Sequence, residues 1–130
     1  MKESPFYFGE VTGLDASDGF VAELPEEIAT VDQLLEEYYK MLEFPAYFGF
    51  NWNALWECLC DLEWIRNHRV IIVHKALPRI EHSQIRIYLF QLADCVREWE
   101  KNGAHMVIVA FPEKLEKVVN SLLKSRPDYM

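Results

Sequence analysis

Two continuous apolar runs constrain the fold of this chain most strongly, because neither run alternates between polar and apolar side chains. They read RVIIVHKA at residues 69–76 and AHMVIVAF at residues 104–111. Strands that are buried on both faces have this composition, and they belong to parallel sheets covered by helices. A helical period runs between them from Ser83 to Asn102, where Asn102-Gly103 is a stop signal. This order predicts a right-handed βαβ unit and an α/β fold.

The N-terminal part of the chain carries weaker strand signals. GFVAEL contains a strand at residues 20–24, and we expect a three-stranded parallel sheet from 20–24, 69–74 and 104–110. PFYFGEV, which starts at residue 5, alternates weakly and is followed by the turn-rich TGLDASDG. Residues 5–24 therefore predict a hairpin or two edge strands, with an antiparallel strand as the extra N-terminal edge.

Helices are predicted on both sides of the central run. Thr30 and Gln33 form a capping-box pattern, and Pro45 ends the helix that follows. Its apolar face recurs at helical spacing: Val31, Leu34, Leu35, Tyr38 and Leu42. Glu36 and Lys40 form an i, i+4 pair on the outside. Pro112 opens a last helix at residues 112–125, whose apolar residues Leu115, Val118, Val119 and Leu122 are expected to pack on the domain.

A further helix is predicted from Trp52 to about Trp64. Leu55, Cys58, Leu59 and Leu62 form its inner stripe. The opposite side carries Asn53, Glu57, Cys60, Asp61 and Trp64, with Trp56 on the boundary. We therefore expect Glu57 to face solvent beside the preceding loop.

Composition narrows the class of protein. The chain has 130 residues and a net charge of −8, from 21 acids against 13 bases. A protein that binds free nucleic acid needs the opposite sign, so we expect no direct nucleic-acid binding. No run reaches the roughly 18 apolar residues of a membrane span, and no signal peptide is evident, which predicts a cytoplasmic protein without membrane contact.

The cysteines and histidines show no metal or disulfide pattern. Cys58, Cys60 and Cys95 include no CxxC pair, and their odd number argues against a disulfide framework. The four histidines have no metal-ligand spacing, and most are expected to be ordinary surface or strand-end residues. We expect neither a metal nor a cofactor.

The stretch FPAYFGFNWNALWECL, residues 44–59, is unusual for a loop and a helix start. A helix needs a start signal, which Asn51 or Asn53 supplies, but it does not need four large aromatics within six residues. An aromatic loop must either dock on its own core or contact a partner. Phe48, Phe50 and Trp52 are candidates for docking, and at least one of them is expected to do so.

This stretch resembles the signature of the barstar family, small intracellular inhibitors of barnase-type ribonucleases. The pattern is an aromatic pair, glycine, an asparagine and then a helix that reads [DN]-A-L-W-[DE]. The resemblance covers about residues 20–111, which implies a barstar-like α/β core within a single domain of residues 1–130. Residues 1–19 are then an N-terminal extension, and residues 112–125 are an added C-terminal helix.

The resemblance also implies a partner-binding surface. Tyr47 corresponds to the tyrosine laid over the catalytic histidine of the ribonuclease, and Gly49 to the glycine that permits close approach. Asn51 matches the residue that holds the loop and the helix start. Glu57 takes the place of the acid in the phosphate site of the enzyme. The full predicted contact set is Tyr47, Phe48, Gly49, Asn51, Asn53, Trp56, Glu57, Cys60, Asp61 and Glu98.

Some positions depart from the family pattern. Asn53 stands where barstar has an aspartate, and Glu57 is one methylene longer than the aspartate it replaces. Phe50 and Trp52 replace a polar and an aliphatic residue, and Leu62 replaces a tryptophan. These departures bear on the identity of the partner rather than on the fold.

Three classes of function compete. The first is an immunity-type inhibitor, monomeric when free, that blocks the active site of a basic nuclease. The second is a binding module that keeps the fold but has another target. The third is an enzyme using Cys60 as a nucleophile or Glu57 and Glu98 as a carboxylate pair. The third is least favoured, because no histidine lies near Cys60 in sequence and no glycine-rich phosphate loop exists.

Each predicted contact also has an alternative interpretation. Trp56 is expected to pack in the interior more than to touch a partner. Glu57, Asp61 and Glu98 are compatible with ordinary solvated helix faces.

Overall fold

A computed structural model describes residues 4–14 and 18–126. The strands are β1 (Tyr7–Phe8), β2 (Phe20–Glu23), β3 (Arg69–Val73) and β4 (Met106–Phe111). The helices are α1 (Val31–Met41), α2 (Trp52–Leu59), α3 (His82–Asn102) and α4 (Glu116–Leu122), and short 3-10 helices cover Val11–Gly13 and Glu113–Leu115. Parts of the predicted N-terminal extension and turn segment, residues 1–3 and 15–17, lie outside the described residues, as do residues 127–130.

The strands form one parallel sheet in the order β1-β4-β3-β2. Val70 pairs with Phe20 on one side and with Val107 on the other, so the two apolar runs are central neighbours. Val70, Ile71 and Ile72 are fully buried. The predicted α/β fold with a parallel sheet is confirmed, and burial on both faces explains why these runs lack alternation.

Strand β1 lies beside β4 at one edge of the sheet, whereas a hairpin would place it beside β2 at the other edge. Tyr7 pairs with Ala110 and Phe8 with Phe111, both in parallel register. The predicted hairpin and the antiparallel direction are therefore wrong, whereas the alternative of two edge strands is confirmed, because β1 and β2 lie at opposite edges of the sheet. Packing explains the difference, because the rings of Phe6 and Phe8 lie 5.3 and 6.0 Å from that of Phe111. These long-range apolar contacts outweigh the local closure of a hairpin.

Helix α1 follows its sequence signals closely. The N–H of Gln33 donates to the Thr30 side chain over 3.0 Å, and the Gln33 side chain accepts from the N–H of Ala29 over 2.8 Å. Leu34, Leu35, Tyr38 and Leu42 of the predicted apolar face are buried. Glu36 and Lys40 lie 3.8 Å apart as the expected exposed pair.

Helix α2 is shorter than predicted, because it ends at Leu59 rather than near Trp64. Leu62 has φ of 49°, a left-handed conformation that turns the chain, yet its side chain is fully buried. Trp64 was expected on the solvent side; instead it is half-buried, and its Nε1 donates to the carbonyl oxygen of Leu42 over 2.8 Å. The helical spacing of Leu62 thus reflects core packing after a turn and not continued helix.

Helix α3 packs on β4 and α2, and the C-terminal segment packs on α3. Gly103 ends α3 as expected, with φ of 84°. The predicted α3 stripe of Ile85, Leu89, Leu92, Val96 and Trp99 is buried. In α4, Val119 is fully buried, but Val118 is 42% exposed, which corrects the predicted packing face.

Two histidines at strand ends are buried. His74 and His105 are 2% and 7% exposed, whereas His68 and His82 are exposed. Their strand-end positions agree with prediction, but their burial does not. Each is accommodated because its ring nitrogens have hydrogen-bond partners.

Within the described part of the chain, no helix combines the length and apolar character needed to cross a membrane.

Candidate functional site

One aromatic ring fastens the loop between α1 and α2 to the core. Phe48 is 4% exposed, and its ring centroid lies 4.9 Å from that of Phe44 and 4.7 Å from that of Phe50. The ring of Tyr39 in α1 stacks on it at 6.2 Å. The expected docking of at least one loop aromatic is confirmed. Phe48, predicted as a contact, supports the loop from beneath.

Tyr47, the neighbour of Phe48, faces outward and is 74% exposed. The Tyr47 ring therefore offers a large contact area to a partner, and the burial of Phe48 holds the adjacent backbone in place. Phe50 has φ of 51°, a left-handed conformation that costs a non-glycine residue about 1 kcal/mol. Its ring contacts with Phe48 and Tyr39 offset this cost, so the loop is held by packing.

Gly49 has no folding reason to be glycine. It does not adopt a left-handed φ. A Cβ built there would lie 3.6 Å from both the Ala54 Cβ and the Asn51 Nδ2, an ordinary contact distance. The missing side chain instead leaves the backbone open beside Tyr47.

Asn51 connects the loop to α2. Its Oδ1 accepts from the N–H of Ala54 over 2.7 Å, as a helix cap, and its Nδ2 donates to the carbonyl oxygen of Gly49 over 3.4 Å. The side chain thus sets both the start of α2 and the path of the loop.

Trp52 joins the start of α2 to α3. Its Nε1 donates to Gln84 Oε1 over 2.8 Å, and its carbonyl oxygen accepts from Gln91 Nε2 over 2.9 Å. These bonds fix the start of α2 against α3. A charged side chain on the exposed face of α2 is therefore held in a defined position.

The loop and α2 enclose a surface depression of about 520 Å³. Seven of the predicted contact residues line it: Tyr47, Phe48, Gly49, Trp56, Glu57, Cys60 and Asp61. Trp56 is half-buried and packs on the core, so one residue serves as both support and wall. Asn51, Asn53 and Glu98 do not line the depression.

Carboxylates surround this depression. Glu57 is exposed on α2, and Glu98 is exposed on α3. Asp61 is half-buried in the turn after α2 and not on the helix as predicted, because α2 ends early. Within residues 4–14 and 18–126, none of these three acids forms an ion pair. No cation in this part of the chain pairs with their charges.

The acids act on two titratable groups of the site. The pKa of the Tyr47 phenol is raised, firstly by loss of hydration and secondly by the negative charge of Asp61. The phenol therefore remains a hydrogen-bond donor at neutral pH. The pKa of the Cys60 thiol is raised to about 11, firstly by burial and then by the negative charges of Glu98 and Asp94. The thiol is therefore protonated near neutral pH, which argues against a nucleophilic Cys60.

Two site residues were missed by the sequence reasoning. Glu63 contributes to the raised pKa of Tyr47, and it was overlooked because α2 was expected to continue past it. Asp94 acts on Cys60 and precedes Glu98 by four residues on α3. The i, i+4 spacing placed it on the same helical face and was the available signal.

A comparison with protein families identifies the family of this chain. The family model described as Barstar (barnase inhibitor) matches residues 21–110. No curated protein matches the chain. The chain belongs to the barstar family, which is described by its inhibition of barnase, and its α/β fold with a parallel sheet is consistent with that family. The match begins in β2 and ends in β4, which leaves β1 and α4 outside it.

Proposed function

We propose that this protein inhibits a basic, barnase-type ribonuclease by binding its active site, and that it acts as an immunity protein in the cytoplasm. The surface that binds is the depression between the aromatic loop and α2, with Tyr47 and Glu57 at its centre and Glu98 at the edge. The protein inhibits by occupying the active site of the ribonuclease, without turnover and without a cofactor.

The observation that carries this proposal is an exposed carboxylate that forms no ion pair in the described part of the chain. Glu57 stands on a rigid helix beside a 74% exposed tyrosine, in a chain of the barstar family. No feature of the fold requires an acid there. A partner that supplies lysine or arginine would complete the pairing.

Ribonuclease chemistry fits such a surface. A ribonuclease holds phosphate in a cationic cleft, and a carboxylate accepts the same bidentate hydrogen bonds from arginine as a phosphate does. Desolvating this charge is favourable only where good geometry awaits it. Trp56 and Trp52 supply the necessary rigidity beneath Glu57, and Tyr47 adds apolar contact area.

The departures from the family pattern bear on which ribonuclease is bound. Asn53 removes one negative charge, and Glu57 reaches farther than an aspartate. Asp61, a further carboxylate that lines the depression, lies beyond the end of α2. We infer a partner whose cations are shifted towards the end of α2. Barnase is therefore expected to bind more weakly than the cognate enzyme.

The test is a titration of ribonuclease activity. The purified protein is added to barnase and to basic ribonucleases captured on it from its native cell, and residual cleavage of RNA is measured. Stoichiometric loss of activity supports the proposal. Capture of a partner without ribonuclease activity, together with no inhibition of barnase, would favour a binding module with another target.

A further inference from the structure

The segment after β4 lies along α3 and is held there by two arginines. Arg86 Nε donates to the carbonyl oxygen of Leu122 over 3.3 Å, and its guanidinium also bonds the carbonyl oxygen and the hydroxyl of Ser125. Arg126 then lies over the ring of Phe90, with its Cζ 5.0 Å from the ring centroid. We call residues 112–126 the C-terminal arm. It lies outside the residues that match the family.

Arg126 makes a two-pronged ion pair with Asp94 of α3. Its Nη1 and Nη2 donate to Asp94 Oδ2 and Oδ1, each over 2.9 Å. The two side chains are 44% and 27% exposed, so the pair lies at the surface but is partly sheltered. A second cation, Arg97, lies farther from the same carboxylate at 3.7 Å. Parallel hydrogen bonds of this kind fix the geometry of both groups.

Glu98 belongs to the proposed binding surface, and Asp94 lies one turn before it on the same face of α3. Asp94 acts electrostatically on Cys60, whose side chain lines the depression, and Glu98 does the same from one turn farther along α3. The two acids differ in their partners. Asp94 is paired with Arg126 and Arg97, whereas Glu98 has no ion pair among the described residues.

We propose that Arg126 is a specificity-determining residue, because it occupies Asp94 and so removes one carboxylate from the surface that a basic partner meets. The arm thereby leaves Glu98 as the acid of α3 that is open to the partner. This inference rests on the proposed function for its consequence, since the partner must be cationic. The pairing itself does not depend on a partner.

The C-terminal arm determines which carboxylate of α3 is available to pair with a cation of the partner. A partner with a cation opposite Asp94 must displace Arg126 from two hydrogen bonds and a ring contact, and a partner with its cation opposite Glu98 has no such competitor.

The first experiment reads the local charge at Cys60 without any partner. Cys58 and Cys95 are buried, so Cys60 is the accessible thiol. It is modified with a methanethiosulfonate carrying trimethylammonium and with one carrying sulfonate. The ratio is the rate constant of the trimethylammonium reagent divided by that of the sulfonate reagent. The fraction of thiolate cancels in this ratio, which rises as the electrostatic potential at Cys60 becomes more negative. Arg126→Gln is expected to raise the ratio about threefold, and the effect should vanish in an Asp94→Asn background.

Two control variants separate this effect from net charge and from folding. Lys117→Gln removes one positive charge from α4, where Lys117 is exposed, and should leave the ratio near that of the wild type. Arg126→Lys keeps the charge and should do the same. Equal ratios for Arg126→Gln and the wild type would overturn the proposal, as would an increase that persists with Asn at position 94.

The second experiment measures association with barnase that lacks catalytic activity. Arg126→Gln should speed association about twofold, but only while Asp94 is present. If no variant binds, the proposed function is challenged while the thiol ratio still decides the role of Arg126. If all variants bind with one rate, the specificity role is wrong and the proposed function stands.

Discussion

The hydroxyl oxygens of Tyr38 and Tyr88 lie 2.6 Å apart in the interior and join α1 to α3. Tyr88 also lies 2.6 Å from His74 Nε2, and His74 Nδ1 lies 3.2 Å from the carbonyl oxygen of Ala110. A carbonyl can accept but not donate, so Nδ1 carries the proton. In the neutral ring Nε2 then accepts from Tyr88, which in turn accepts from Tyr38. One directed chain of hydrogen bonds links two helices to the sheet.

The direction of this chain predicts unequal costs for its two tyrosines. Tyr88→Phe leaves both His74 Nε2 and the Tyr38 hydroxyl buried without partners, whereas Tyr38→Phe removes a donor but leaves the Tyr88–His74 bond. We expect the first change to lower the free energy of unfolding by roughly 2–4 kcal/mol and the second by roughly 1–2 kcal/mol. Urea unfolding of both variants measures the difference. Equal losses would contradict the assigned direction.

His74 makes the stability of the protein depend on pH. Burial lowers its pKa from 6.5 to about 3, so the unfolded chain takes up this proton at a higher pH than the folded chain does. The contribution of His74 to stability is therefore constant above about pH 6.5, and it falls as the pH drops towards 3, by up to about 1.4 kcal/mol for each pH unit.

Urea unfolding between about pH 7 and pH 4 tests this dependence. We expect His74→Gln to lose much of the slope, because the titrating group is gone. His82→Gln is the matched control, since His82 is exposed and should retain it. Parallel curves for the wild type and His74→Gln would show that other groups cause the acid sensitivity.

The sequence predicted the main elements well where the signal was local. The β-branched runs around Ile71 and Val109 identified the central strands, and Thr30 with Gln33 identified the start of α1. The pairing of β1 with β4 was not predictable in this way, because the contacts of Phe6 and Phe8 with Phe111 join residues about a hundred positions apart.

The candidate surface was predictable in its members but not in their roles. Tyr47 and Phe48 are adjacent aromatics in a loop that has no period, so sequence spacing does not tell which ring is buried and which is exposed. The end of α2 was missed because Leu62 keeps the helical spacing while adopting a left-handed turn. Arg126 lies in no motif, and its position beside Asp94 depends on the path of the whole arm.

Gly49 separates a binding role from a folding role. Gly49→Ala adds a methyl group at ordinary contact distance from Ala54 and Asn51, without left-handed strain, so stability should change by less than about 0.5 kcal/mol. Binding to the proposed ribonuclease partner should weaken by about tenfold or more, because the added methyl would stand on the surface that we propose the partner approaches. Thermal unfolding and calorimetric titration measure the two effects. Unchanged affinity would show that the partner does not approach at Gly49.

The excess of acids predicts a binding rate that depends on salt. At physiological ionic strength charges are screened beyond about 8 Å, and stronger salt shortens this distance. Raising the salt from about 50 to about 500 mM should slow association with the ribonuclease at least fivefold, with a smaller change in dissociation. Stopped-flow mixing measures both rates. An association rate that ignores salt would indicate an apolar interface and contradict the nuclease-inhibitor proposal.

Glu57 is the central contact of the proposed binding surface, and the change Glu57→Gln removes its charge while keeping its shape. Because the side chain is exposed and has no ion pair among the described residues, unfolding free energy should change by no more than about 0.5 kcal/mol. Binding should weaken by roughly 2–5 kcal/mol, chiefly through faster dissociation, because the cations of the partner lose their counter-charge. This range is not independent of the family, since charge pairs of barnase and barstar are among those that define it.

Two further variants make the Glu57 result specific. Glu27→Gln removes an exposed acid from the β2–α1 connection and alters the net charge by the same amount, so it should bind as the wild type does. Asp61→Asn should cost less than Glu57→Gln, because Asp61 lies beyond the end of α2 in a turn. Surface plasmon resonance with the ribonuclease immobilised gives the dissociation rates. If Glu57→Gln dissociates as slowly as Glu27→Gln, the phosphate-mimicking acid is not Glu57, and Asp61 or Glu98 must be tested in its place.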